Sequence, residues 1–176
     1  MTGRACRAAA VVALLAVVAP GLATATGPGV AGERWREPLA RAERALAGGD
    51  AREAERAWEE SHRAAIRSGS ARALIDVAVA HLGIGEAARG RQKAVERARR
   101  TLLLALFQAR ERRDHDSVAA AAEAFAILGD RDIADRAFAV ALALAEQKRD
   151  ALARERIAAM RLRVSGPPPA GPAAER

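Results

Sequence analysis

Three stretches of this chain carry side chains whose types and spacing could do chemistry. Asp114-His115-Asp116 puts three metal-capable groups side by side. Adjacent residues cannot all face one ion without an unusual backbone, and the other histidines, His62 and His81, have no ligand-type partner four residues away. The simpler chemistry is helix capping by an aspartate. Gly83-x-Gly85-x-x-Ala88, after the apolar Leu74–Leu82 stretch, mimics a dinucleotide fingerprint. About 20 residues on, where an acidic ribose ligand belongs, lie the apolar residues Leu103 to Phe107, so an inter-helix loop is the better reading. The third stretch, Arg89 to Arg113, holds nine basic residues against Glu96 and Glu111. Arg89, Lys93, Arg97 and Arg100 recur there at helical spacing, opposite Ala94, Ala98, Leu102 and Ala105. A basic strip of this kind attracts anionic lipid or polysaccharide, with an affinity that falls as salt rises, or it is simply a solvated face. With no stacking aromatics near it, nucleic acid is not the expected partner. No Gly-x-Ser-x-Gly and no distinguished carboxylate pair occurs, so no enzyme and no cofactor is expected.

What positions these residues is a repeat. Ala54, Ala94 and Ala134 stand forty residues apart, and neighbouring positions recur with them. The same interval aligns Asp50/Gly90/Asp130, Trp58/Ala98/Phe138, Ser61/Thr101/Ala141, Ala64/Leu104/Leu144 and Ala65/Ala105/Ala145. Self-similarity at a fixed period is the mark of stacked supersecondary units. Alanine, leucine, arginine and glutamate dominate, so the units are helical and the fold class is all-α.

The N-terminus stands apart from the fold. Arg4 and Arg7 precede the apolar run Ala8–Ala19, Pro20-Gly21 breaks it, and Ala23-Thr24-Ala25 offers a small-residue cleavage site. That is the layout of a secretory signal peptide over residues 1–25, giving an exported, periplasmic or extracellular protein. The run is shorter than the roughly 20 residues a membrane span needs. Cys6 is the only cysteine, so the chain beyond the cleavage site has no thiol chemistry. That mature chain carries 27 basic and 22 acidic residues, a net +5.

Residues 26–32 read as a flexible leader, 33–164 as the helical domain and 165–176, SGPPPAGPAAER, as a disordered Pro/Gly tail. Within the domain a first helix runs from Arg36 to Ala47 and ends at Gly48-Gly49. Asp50 with Glu53 has capping-box spacing and opens a second helix, which closes at Ser68-Gly69-Ser70. A third spans Ala71 to Leu82. Residues 83–90 are then either an eight-residue loop or, from Glu86, the start of the fourth helix, which reaches Arg113. Asp114 and Asp116 offer caps for a fifth ending at Leu128-Gly129, and Asp130 caps a sixth. A seventh, Asp150 to Val164, turns Ala153, Ile157, Met160 and Val164 inward and Arg154, Glu155 and Arg161 outward, as a terminal cap should.

Gly49-Asp50 with Ala54-x-x-x-Trp58, and Gly129-Asp130 with Ala134-x-x-x-Phe138, resemble the tetratricopeptide repeat, with a degraded middle unit at Ala94-x-x-x-Ala98. The resemblance covers about residues 33–164. The family pattern departs in its lengths: Gly49 to Gly83 is 34 residues but Gly83 to Gly129 is 46. The resemblance implies a right-handed α–α solenoid of about three helix pairs plus a C-terminal capping helix. It also implies a non-enzymatic scaffold that binds a protein or peptide in a groove lined by first helices. By the repeat register that groove holds Arg36 and Glu43, Asp116 and Glu123, each pair two helical turns apart on one face, with His81 added from the middle unit. Three units are near the lower limit for a stable array, and homodimerisation through an uncapped end would extend it.

Overall fold

The structure is a computed structural model that describes residues 33–87 and 90–165. The expected signal peptide and leader lie outside the described residues, as do Arg89 of the basic strip and the Pro/Gly tail except Ser165, which is the last residue of the final helix. The described chain is all-α: α1 Arg36–Ala47, α2 Ala51–Ser68, α3 Ala71–Ala87, α4 Arg91–Glu111, α5 His115–Leu128, α6 Arg131–Gln147 and α7 Ala151–Ser165. The closest packing is within three pairs, α1 with α2, α3 with α4 and α5 with α6. Between pairs, α2 packs on α3, α4 on α5 and α6 on α7, while the odd helices also touch in sequence, α1 to α3 to α5 to α7.

The forty-residue columns become the inner faces of α2, α4 and α6. Ala54, Ala94 and Ala134 are buried, as are Trp58, Ala98 and Phe138, and Ser61, Thr101 and Ala141. Ala65, Ala105 and Ala145 are fully buried on the same faces. The column Ala64/Leu104/Leu144 behaves differently: Ala64 is buried, Leu144 is half-buried and Leu104 faces out. Trp58 and Phe125 anchor one part of the core and Phe138 the other.

Four details correct the sequence reading. Neither alternative for residues 83–90 holds: α3 continues through Gly83 and Gly85 to Ala87. The reason is packing. A Cβ on Gly85 would come within 2.2 Å of the Ala94 Cβ on α4, so Gly85 is a close-approach residue inside a helix rather than a turn residue. With α3 thus extended, the 46-residue irregularity vanishes, because the turns preceding α2, α4 and α6 end on the even beat of Asp50, Gly90 and Asp130. The nucleotide look-alike disappears with it, since its glycines lie in a helix and no strand precedes them among the described residues.

The close approach has a measurable consequence. In a helix interior Gly→Ala ordinarily gains about 0.5–1 kcal/mol. Here Gly85→Ala is expected to lose about 1–3 kcal/mol by overpacking α3 against α4. Ala94→Gly added to the same chain should recover most of that loss in urea denaturation.

Asp130, second, does not cap α6 with its side chain. Its carboxylate accepts from Arg99 Nε at 2.6 Å and Nη2 at 2.8 Å instead. A bidentate guanidinium outcompetes a single neutral N–H, and the freed Ile133 N–H donates to the Asp130 carbonyl. Asp50 and Asp114 do cap, accepting from the N–H of Glu53 and of Ser117, and Asp150 likewise accepts from Ala153. Glu53, however, pairs with Arg56 and Arg41 rather than reaching back as a capping box would have it. Third, α4 ends at Glu111, two residues before the expected Arg113, which adopts a left-handed turn conformation. Fourth, α7 buries Ala153 and Ile157 as expected, yet its other sides are not uniformly charged: Leu152 is 73 % and Leu162 75 % exposed.

Candidate functional site

Of the odd helices α3 and α5 show solvent one narrow stripe each, because they are covered on their other sides, while α1 and α7 at the ends are more widely exposed. On α3 the open positions are Arg72, Asp76, Val79 and Gly83, and on α5 they are Asp116, Ala120, Glu123 and Ile127. Arg36 and Glu43 of α1 are exposed beside the α3 stripe. These stripes follow the forty-residue beat too, aligning Arg36/Asp76/Asp116/Arg156 and Glu43/Gly83/Glu123/Arg163.

Charge is organised along that row. At the α1–α3 end, burial pushes the Asp76 carboxyl above its ordinary range, while the bonded Arg72 (2.9 Å) and the nearby Arg36 pull it back. The carboxyl of Glu43, partly covered though its side chain reaches solvent, is likewise raised by desolvation, and the negative charge of Asp76 raises it further. At the α5–α7 end, Asp116 accepts from Arg156 at 3.1 Å and Glu123 lies 3.7 Å from Arg163. Four of the five expected groove residues, Arg36, Glu43, Asp116 and Glu123, therefore lie on one continuous face. The residues missed are Asp76, Arg72, Arg156 and Arg163. For three of them the signal was available: Asp76, Arg156 and Arg163 sit forty residues from Arg36, Asp116 and Glu123, whereas Arg72 stands at that interval from none of the expected groove residues.

His81 does not join the face. It is 5 % exposed and turned the other way, edge-on to the Trp58 ring at 3.8 Å between centroids. Two residues from Val79 on α3 is about 200° around the helix, which puts His81 opposite the open stripe. There it belongs to a buried aromatic and cationic cluster. Trp58 stacks on His62, donates from Nε1 to the Val77 carbonyl at 2.7 Å, and lies beneath the Arg97 guanidinium at 4.5 Å. Burial lowers the His81 pKa to about 4, helped by Arg97 and His62, and its Nδ1 is buried without a hydrogen-bond partner.

The basic strip is divided by the same packing. Arg97 lies within 3.7 Å of both Glu55 and Glu59 of α2, and so serves the α2–α4 joint. Lys93 and Arg100 are exposed.

Within Asp114-His115-Asp116 only Asp114 acts locally, as the cap of α5, while His115 lies 3.7 Å from Asp150 and Asp116 pairs with Arg156 of α7. Burial pushes the Asp114 carboxyl up, but hydrogen bonds from Ser117 outweigh that and hold it below its usual range. No group of three potential ligands assembles among the described residues, and none of the described helices is long and apolar enough to cross a membrane.

A shallow notch of about 20 Å³, room for about one water, lies between α1 and α3 and is lined by Ala42, Glu43, Leu46, Ala80 and Ile84. It offers apolar walls with one carboxylate beside them and is too small to take up a side chain. Comparison with protein-family models, curated proteins and solved structures finds no match.

Proposed function

We propose that this chain is an exported, non-enzymatic scaffold, a tetratricopeptide-like right-handed solenoid that docks a protein or peptide on its odd-helix face in the bacterial cell envelope. The observation that carries the reading is the charged row on the open stripes of α1, α3, α5 and α7, recurring every forty residues. Helices stacked at a fixed interval present an extended strip of matched sites, which suits an extended ligand rather than a small one. The Arg156–Asp116 pair on the strip is solvent-exposed, each partner more than half accessible. Such pairs contribute little to stability and exchange readily for a ligand's charges. Export supports an envelope setting through the Arg4/Arg7, Ala8–Ala19 and Ala23–Ala25 pattern.

At the α1–α3 end of the strip the preferred ligand feature is a lysine or arginine, set by the neighbouring Glu43 and Asp76 carboxylates. The test is crosslinking in an exporting bacterial host followed by mass spectrometry, comparing the wild type with Glu43→Arg. A partner crosslinked by the wild type and lost in Glu43→Arg, with helicity unchanged, is the expected result. Crosslinks that ignore this substitution and also Asp76→Arg would place docking elsewhere.

A further inference from the structure

The outer side of α2 and α4 carries an exposed apolar ridge within a field of unpaired arginines. On α2 the flank facing α4 reads Glu55, Glu59, His62, Ile66, and on α4 the answering flank reads Arg97, Thr101, Leu104. The first contacts along these rows are polar: Glu55 and Glu59 to Arg97, then His62 to Thr101 at 3.2 Å. One turn further both rows turn apolar without being covered, with Ile66 46 % and Leu104 41 % exposed. Phe107, three residues beyond Leu104 on the outward side of α4, is 61 % exposed. In a core packed mainly with alanine, leaving one of only three phenylalanines in water is a cost that calls for a use.

Arg63 and Arg67 flank Ile66 on α2, and Arg100 and Arg110 bracket Leu104 and Phe107 on α4; all four are exposed. None of them is ion-paired among the described residues. The acids of α2 that could answer them are engaged elsewhere, Glu55 and Glu59 with Arg97 and Glu60 with Arg41, which leaves the two acids of α4, Glu96 one turn before Arg100 and Glu111 at the helix end. The two best-formed depressions lie at α1–α3 and among α5, α6 and α7, away from this ridge. A ridge without a cleft suits a broad surface better than a side chain seeking a pocket.

We propose that this outer face is an interfacial contact for an anionic lipid bilayer. Phe107, Leu104 and Ile66 enter the boundary between headgroups and acyl chains, while Arg63, Arg67, Arg100 and Arg110 meet lipid phosphates. Apolar insertion with surrounding cations is the established physics of such contacts, and neither part alone holds a protein stably. The face is distinct from the odd-helix strip, so a bound peptide and a bound membrane are compatible. It shares only Arg100 with the strip expected from sequence, because Arg97 is occupied within the fold.

The experiment uses protein purified from an exporting host, as processed there, in flotation with phosphatidylcholine vesicles with and without phosphatidylglycerol. Binding should require phosphatidylglycerol and weaken at high salt. It should fall at least about tenfold both in Leu104→Ser/Phe107→Ser and in Arg100→Gln/Arg110→Gln, with helicity by circular dichroism unchanged. Three results would overturn the proposal. One is no binding at low salt; another is equal binding to neutral and anionic vesicles, as a retained apolar N-terminus would produce. The third is a concentration-dependent dimer abolished by Leu104→Ser/Phe107→Ser, which would give the ridge to a second copy of the chain.

Discussion

Trp58→Ala should remove about 4 kcal/mol of folding stability, within the 3–5 kcal/mol range for deleting a large buried aromatic. Trp58 is fully buried and joins three helices: it grows from α2, hydrogen-bonds the Val77 carbonyl of α3, and lies under Arg97 of α4. Its removal leaves a cavity, strips His81 of its packing partner and leaves Arg97 its exposed glutamates alone. A domain of this size has about 5–15 kcal/mol in total, so the loss is a large share. Trp58→Phe keeps most of the volume and should cost far less. Urea denaturation separates the cases: the midpoint should drop steeply for alanine and modestly for phenylalanine, with an unchanged slope. An alanine variant within about 1 kcal/mol of wild type would show that Trp58 does not hold the α2–α3–α4 joint.

The second large effect is acid destabilisation through His81. In the fold its pKa is lowered to about 4 by burial, then by Arg97 and His62; in the unfolded chain it is about 6.5. Above pH 6.5 the imidazole is neutral in both states and contributes no pH dependence. As pH falls from 6.5 towards 4, the unfolded chain takes up a proton that the folded chain refuses. Stability is therefore lost across that window, by roughly 3 kcal/mol when complete. His62, also lowered by burial, adds to the same trend. Glu43, Glu55 and Asp76 oppose it, because burial raises their pKa values and their protonation favours the fold. The contribution of His81 is isolated by His81→Leu, which also removes the unpaired Nδ1. Stability of the leucine variant should fall less between pH 7 and pH 4, and the gap between the two curves should widen steadily over that interval. Parallel curves would show that His81 is not held neutral by the fold.

Much of the architecture is readable because helices whose inner faces repeat must show that repetition in sequence. Ala54/Ala94/Ala134 and Trp58/Ala98/Phe138 mark buried positions of α2, α4 and α6, and Asp50 and Asp114 mark helix starts, since close packing and free N–H groups demand particular residue types. The open stripes of the odd helices were half legible. Arg36, Glu43, Asp116 and Glu123 come from register alone, whereas His81 was chosen for its chemistry and lies two residues out of register. The rotation of a helix is written in its whole apolar stripe, not in one polar side chain.

Local pattern by itself determined the all-α class, the forty-residue beat and most helix termini, because propensity, capping and periodicity act within a few turns of chain. Contacts between distant residues decided the rest. Gly83 and Gly85 look like a turn until α4 is present, and then Gly85 is the spot where α3 meets Ala94. Asp130 has the type and place of a cap, yet Arg99 reaches it from 31 residues away. Arg97 belongs to a basic run in the sequence and to Glu55, Glu59 and Trp58 in space, while Arg63 and Ile66, ordinary in the chain, share an exposed face with Arg100 and Phe107. Each of these outcomes is a competition between a local partner and one delivered by folding, and only the packed helices determine which partner is nearer.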